Sequence, residues 1–397
     1  MKNRLQSAPP TSLPNPLADK LRLRFEARAD EEQITFLKRN AAPVAYTGER
    51  LSGEVEALSR DLRGWLGDGP RALVLALPAG ERFVTALLAC LLGGITVVPV
   101  TLPRMGSHSD RFLHIVRDSG ASAVLCAEES FAGVLQALGG PDGAPAAPVA
   151  TLPLDPATLP DPLPPSGQLV PAAQTPAVIQ YTSGSTRAPK GIGIMGCNIL
   201  ANCGLVMRSW QMDEKARIVN WLPHYHDMGL MGGILYPLLC GGVSAQMSPL
   251  DFIRRPELWL RAISDHRACF CGGPAFAFAE CCRRVPAETV AALDLSSWQR
   301  AFCGAEPVPA GLLDRFHAHL APAGLMREAV FPCYGLAETT LFAAGVPHRP
   351  APRPAPPSGA EAVEPCVLTG ETRDGLRIVD PESRTEVADG TVGEIWL

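Results

Sequence analysis

Short apolar runs and amphipathic segments take turns along most of this chain. Residues 51–66 read as an amphipathic helix, 72–77 as an apolar strand, 81–92 as a helix, 95–100 as a strand, 109–119 as a helix and 123–126 as a strand. From 177 the pattern resumes. Strands are expected at 177–181, 218–222, 243–247, 268–271, 300–303 and 329–333, with helices at 198–210, 229–239, 257–265, 275–284 and 309–321. Strands separated by helices of this length form βαβ units, which pair in parallel and cover both faces of the sheet. This predicts an α/β protein of two stacked αβ subdomains with mostly parallel sheets. Residues 141–176 hold eleven prolines and 347–365 hold seven, without periodicity, and read as linkers or wrapped loops. They set expected boundaries: a first αβ subdomain at 1–165, a second at 166–341 and a β-rich third at 342–397, where 376–379 and 392–397 are strand-like.

Composition limits the partners. A length of 397 residues exceeds one compact core, and a net charge of −5 argues against nucleic acid, whose phosphates need a basic face. Only five of the 35 basic residues are lysines (Lys2, Lys20, Lys38, Lys190 and Lys215), so a lysine inside a motif stands out. Met1–Pro16 lacks the apolar segment of a secretory signal, and the twelve cysteines lack the paired C-x-x-C spacing of a zinc site. Reduced, buried thiols in a cytoplasmic protein are expected. Two uncharged stretches, 83–100 and 228–250, are long enough to raise a membrane question. Gly93, Gly94 and Pro99 break the first into helix and strand; Pro237, Gly241 and Gly242 help to break the second. No membrane span is expected.

The strongest motif is IQYTSGSTRAPKG, Ile179 to Gly191. A strand ends at Tyr181, and the loop after it concentrates Thr182, Ser183, Gly184, Ser185, Thr186 and the rare Lys190. Small residues let backbone N–H groups face phosphate oxygens, hydroxyls add donors, and lysine supplies a point charge. The glycine–lysine spacing is wrong for a Walker A loop, which disfavours a P-loop kinase or ATPase. A plain polar surface loop is the alternative, and the number of matched positions in order argues against it.

This run resembles the phosphate-binding signature of the adenylate-forming (ANL) superfamily, and Arg187 is similar to its fatty acyl-AMP ligase branch. Four further segments carry the resemblance, which extends from about Gln33 to the last residue. NWLPHYHDMGLMGG (Asn220–Gly233) places His226 and Asp227 before an apolar wall that includes Met228 and Met231, suited to an amphiphilic carboxylate. His224 and the pair His317 and His319 read as structural. FCGGPAFAFAECC (Phe270–Cys282) looks like an acyl-tunnel segment, in which Phe276 and Phe278 line the tunnel or belong to the core. LSSWQRAFCGAEP (Leu295–Pro307) resembles the turn that approaches adenine, with Cys303 where this branch often has asparagine. PCYGLAETT (Pro332–Thr340) offers Tyr334 for stacking on the base and Glu338 as an oxygen ligand for Mg²⁺.

The resemblance implies activation of a medium- or long-chain fatty acid by MgATP to acyl-AMP and pyrophosphate, with ATP and Mg²⁺ as cofactors. The acyl group would pass to the phosphopantetheine thiol of an acyl carrier protein. Thr182 through Thr186 with Lys190 would hold phosphates. Gly304, Ala305, Glu306, Tyr334, Gly335, Leu336, Ala337 and Thr339 would surround the nucleotide, and His226 would border the carboxylate. The implied fold adds the start of a small β-barrel subdomain. The alternatives are an acyl-CoA synthetase of the same superfamily and a catalytically incomplete nucleotide- or acyl-binding module. The branch's insertion in the third subdomain is expected to be short here, between Leu341 and Gly370. A C-terminal lid domain, which in the family brings a lysine to the α-phosphate, is expected to lie beyond Leu397.

Overall fold

The structure is a computed structural model that describes residues 15–67, 69, 71–103, 108–139, 146–152, 154, 174–182, 189–347, 363–364, 366, 375–388 and 391–397. In chain order the strands are β1 (Glu32–Phe36), β2 (Val44–Thr47), β3 (Ala72–Ala76), β4 (Thr96–Pro99), β5 (Ala123–Ala127), β6 (Val149–Leu152), β7 (Val178–Thr182) and β8 (Lys190–Ile194). They continue as β9 (Arg217–Asn220), β10 (Val243–Gln246), β11 (Phe270–Pro274), β12 (Arg300–Gly304), β13 (Val330–Pro332), β14 (Tyr334–Gly335), β15 (Phe342–Ala344), β16 (Arg377–Val379) and β17 (Glu394–Trp396).

Two large sheets result. The six-stranded sheet runs β6-β5-β3-β4-β7-β8 and the seven-stranded sheet β13-β12-β11-β9-β10-β1-β2. Each is parallel except for its last pair, β7 with β8 and β1 with β2. The sheets interleave in sequence and do not divide at residue 165. β1, from the amino-terminal part, pairs with β10 (Ile34↔Ser244), while β7 joins the first sheet through Val97↔Val178. An unpaired edge leaves a row of backbone donors and acceptors open, and these two crossings cover the edges that β10 and β4 would otherwise present. The proline-rich segment, mostly outside the described residues, therefore joins β6 to β7 of one sheet.

Core residues show how the layers stack. Along β3, Leu73 and Leu75 face one core, and Val74 and Ala76 face another. Across the second sheet, Ile218 shares the first of these cores, whereas Val219 faces a third. The shared core lies between the sheets and holds the helices Pro16–Ala27, Gly48–Leu66, Glu81–Gly93 and Gly196–Trp210. Beyond the charged first turn, Glu81–Gly93 is largely apolar and buried there, and Gly94 in the left-handed region (φ 64°) ends it. At 13 residues it reaches about 20 Å. No helix among the described residues is long and apolar enough to cross a membrane.

The stretch expected as one helix at 229–239 is a π-helix, Met228–Leu235, followed by an α-helix, Tyr236–Cys240. Side chains from neighbouring strands take carbonyls of its ladder. Asn220 Nδ2 donates to Gly229 O (3.3 Å), and Ser244 Oγ and Gln246 Nε2 donate to Gly233 O (2.7 and 2.8 Å). Helices widen where side chains insert in this way, and such bulges concentrate at functional sites. Gly233 permits the approach, since a Cβ there would collide with the Asn220 amide. In the third segment, β16 and β17 form an antiparallel pair, the β-rich start expected from the sequence.

Candidate functional site

The loops carrying the expected residues leave the carboxyl ends of parallel strands, where open α/β sheets form ligand crevices. β7 ends at Thr182, which faces Lys190 across the hairpin. Ser183, Gly184, Ser185, Thr186 and Arg187 lie outside the described residues. Both shoulders of that loop rest on the helix His108–Asp118. Tyr181 Oη donates to Asp118 Oδ2 (2.6 Å), and His114 Nε2 lies 3.3 Å from Pro189 O. Burial, and then the Asp118 carboxylate, push the Tyr181 phenol up. Lys190 is exposed.

β12 and β13 pair in register (Cys303↔Pro332), which sets Gly304 beside Cys333 and brings the two expected nucleotide segments together. A Cβ on Gly304 would sit 2.6 Å from Cys333 O, so the close approach requires glycine. Ala305 follows at φ 65° and is exposed. Glu306 Oε1 accepts from Phe276 N (2.8 Å) at the start of the helix Ala275–Arg284. Free N–H groups there favour a carboxylate.

Beyond β13, Tyr334 and Gly335 pair with Ala344 and Phe342, and Leu336 N donates to Leu341 O (3.0 Å). Between them Ala337–Thr339 makes one 3-10 turn, with Ala337 buried and Thr339 Oγ1 donating to Leu336 O (3.0 Å). Thr340 then adopts φ 76°, a conformation costing about 1–3 kcal/mol for such a residue. The turn presents Glu338 to an open cleft of about 420 Å³, lined also by Ile192, Gly193 and Ile194 of β8 and by Asn198 and Asn202. Glu338 is exposed, and among the described residues no cation or donor contacts its carboxylate. A hard oxygen donor left free beside the strand that leaves the phosphate loop fits a divalent cation.

On the other side of β7, Gln180 Nε2 donates to Tyr225 O (2.6 Å) and ties the phosphate strand to the loop that carries His226. His226 is exposed, with Nδ1 3.6 Å from Asp227 Oδ1. The apolar wall departs from expectation in part. Met228 is half-buried against the outer core of the second sheet, but Met231 is wholly buried between the sheets. Phe278 also belongs to the core, whereas Phe276 is 42% exposed and stands edge-on to Trp221 at 6.0 Å.

His224 is buried as a structural residue. Its Nδ1 accepts from Gly80 N (3.4 Å) and its Nε2 lies 3.0 Å from Gln246 Oε1, which fixes the proton on Nε2. Burial holds its pKa down at about 4. Sequence reading missed Gln180, Asn202, Asn220 and Gln246, all buried polar residues that brace the site. Their signal was present: each is an amide within an otherwise apolar run or face.

These features define an α/β protein whose candidate residues gather on loops that leave strands of both large sheets. The family model of the AMP-binding enzymes matches residues 24–397. A medium-chain-fatty-acid–[acyl-carrier-protein] ligase of Teredinibacter turnerae is 35% identical over 376 residues, 82% of this chain and 58% of that protein. A long-chain-fatty-acid–AMP ligase of Mycobacterium marinum is 32% identical over 400 residues, 95% of this chain and 68% of that protein. The crystal structure of the fatty acyl-adenylate ligase of Legionella pneumophila, in complex with acyl adenylate and pyrophosphate, superposes with a TM-score of 0.78. It is 28% identical and covers 96% of this chain and 68% of its own. The chain thus belongs to the AMP-binding enzyme family, in its fatty acyl-AMP ligase branch. It spans 58% and 68% of the lengths of the two relatives described.

Proposed function

We propose that this chain carries the site that activates a medium- or long-chain fatty acid with MgATP, giving acyl-AMP and pyrophosphate. The observation that carries the reading is the cleft in which the Glu338 turn lies against β8, the strand leaving the phosphate loop. In the reaction a carboxylate oxygen forms a bond to the α-phosphorus as the bond to the β-phosphate oxygen breaks. Two anions must approach, so the site has to screen charge. Lys190, Thr182 and the loop between them would hold the phosphates. Gly304, Ala305 and the 334–337 segment would take the base. His226 would border the carboxylate, with Met228 and Phe276 along the acyl chain. Glu338 would hold Mg²⁺, which when bound neutralises phosphate charge. The acceptor would be the phosphopantetheine thiol of an acyl carrier protein, as the name of the Teredinibacter relative suggests. The same reading sets the reaction in the cytoplasm, where thiols stay reduced; the twelve free cysteines are compatible with it.

Mass spectrometry of the chain incubated with MgATP and fatty acids of several lengths, with and without coenzyme A, tests this. Acyl-AMP without acyl-CoA is expected. Copious acyl-CoA would move the chain to the synthetases, and adenylation of amino acids alone would refute the fatty-acid reading.

A further inference from the structure

Glu338 has no partner among the described residues to hold its side chain in place, so its position depends on the backbone that bears it. Among the described residues, that backbone is anchored from outside the turn by the side chain of Asn202. Asn202 lies on the inward face of Gly196–Trp210, among Ile199, Cys203 and Val206. Its Nδ2 donates to Thr339 O (3.0 Å) and to Phe342 O (2.8 Å), while its Oδ1 accepts from Phe342 N (3.0 Å). These bonds straddle Thr340, the residue with φ 76°. The fourth bond comes from Tyr236, whose Oη donates to Asn202 Oδ1 (2.7 Å). Asn202 thereby uses both donors and two acceptor positions, three of the four bonds being buried, and such networks hold one geometry.

The placement joins three parts of the site. Gly196–Trp210 follows β8, which leaves the phosphate loop; Tyr236 follows the π-helix behind Met228; and the turn carries Glu338. We propose that Asn202, with Tyr236 behind it, is the positioning residue that holds the Glu338 turn in place against β8, where Glu338 would hold a divalent cation. This rests on the reading of Glu338 as the metal ligand. Outer residues that orient metal ligands typically matter by about 10–100-fold in metal affinity or activity.

The test uses the whole chain and the variants Asn202→Ala, Tyr236→Phe and Glu338→Gln. ATP affinity is measured by calorimetry in Mg²⁺ and in EDTA, and amide exchange is followed by mass spectrometry. Glu338→Gln should remove most of the gain in ATP affinity that Mg²⁺ gives. Asn202→Ala should reduce that gain by about tenfold or more and leave affinity in EDTA unchanged. Exchange should rise in the peptides spanning 336–343 and stay at wild-type rates across the six-stranded sheet. Tyr236→Phe, which deletes one hydroxyl, should move both readouts the same way by less, and it carries the test if Asn202→Ala does not fold. A wild-type Mg²⁺ gain in Asn202→Ala, with the gain lost in Glu338→Gln, would overturn the proposal, as would exchange that rises evenly along the chain. Should Glu338→Gln keep the gain, the metal reading of Glu338 falls, and the positioning role toward Mg²⁺ falls with it.

Discussion

His224 and His226 sit two positions apart and have opposite fates. The first is sealed between Gly80 and Gln246, while the second stands in solvent beside Asp227. Burial lowers the His224 pKa from about 6.5 to about 4, so the unfolded chain binds the proton more readily than the folded one. Its contribution is fully present above pH 6.5 and is lost as pH falls toward 4, by about 3 kcal/mol over the whole window. Denaturant midpoints measured from pH 7 to pH 4 should therefore drop less for His224→Gln than for the wild type. Equal slopes would show that the ring titrates normally. At Glu338 the expectation concerns chemistry alone: Glu338→Gln should leave the unfolding midpoint unchanged and abolish Mg²⁺-dependent acyl-AMP formation. At this scale the candidate positions are legible as motifs, because glycines, hydroxyls and Glu338 fall in ordered runs. The bond of Glu306 to Phe276 N was not legible, because its sequence neighbours do not reveal that the N-terminus of Ala275–Arg284 lies within reach. Asn202 shows in the sequence only as an amide on an apolar helix face, since its three partner residues, Thr339, Phe342 and Tyr236, are 34 or more positions away.

Most individual strands and helices could be read from periodicity, which is a local property. The π-helix could not. Its geometry arises from Asn220, Ser244 and Gln246 capturing carbonyls, a tertiary event on a run whose composition says only that it is apolar. Gly233 is the residue that lets Asn220 in, so Gly233→Ala should push the amide away and destabilise the fold by about 1–3 kcal/mol, the usual range for overpacking. Thermal unfolding checks this; a wild-type midpoint would mean that the wall can shift freely. The pairing of β1 with β10 and of β7 with β4 was likewise hidden, since a strand's own pattern reports its faces and not its neighbours.

Across the whole molecule, two sheets share one central core, and the candidate site is assembled from loops of both. The β7–β8 hairpin comes from the six-stranded sheet, the His226 and Gly304 segments come from the seven-stranded one, and Tyr334 lies in the two-stranded pair β14-β15 that follows β13. Bridges such as Gln180 to Tyr225 keep the two contributions in register. The central claim is that this arrangement recognises an acyl chain and an adenylate together. Calorimetric titration of the chain with acyl-sulfamoyl-adenosines, stable mimics of acyl-AMP, tests that claim most directly. Lengthening the acyl group from acetyl to dodecanoyl should tighten binding progressively, as each buried CH₂ contributes up to about 0.8 kcal/mol. Equal affinity for both lengths, or tighter binding of an aminoacyl mimic, would contradict it.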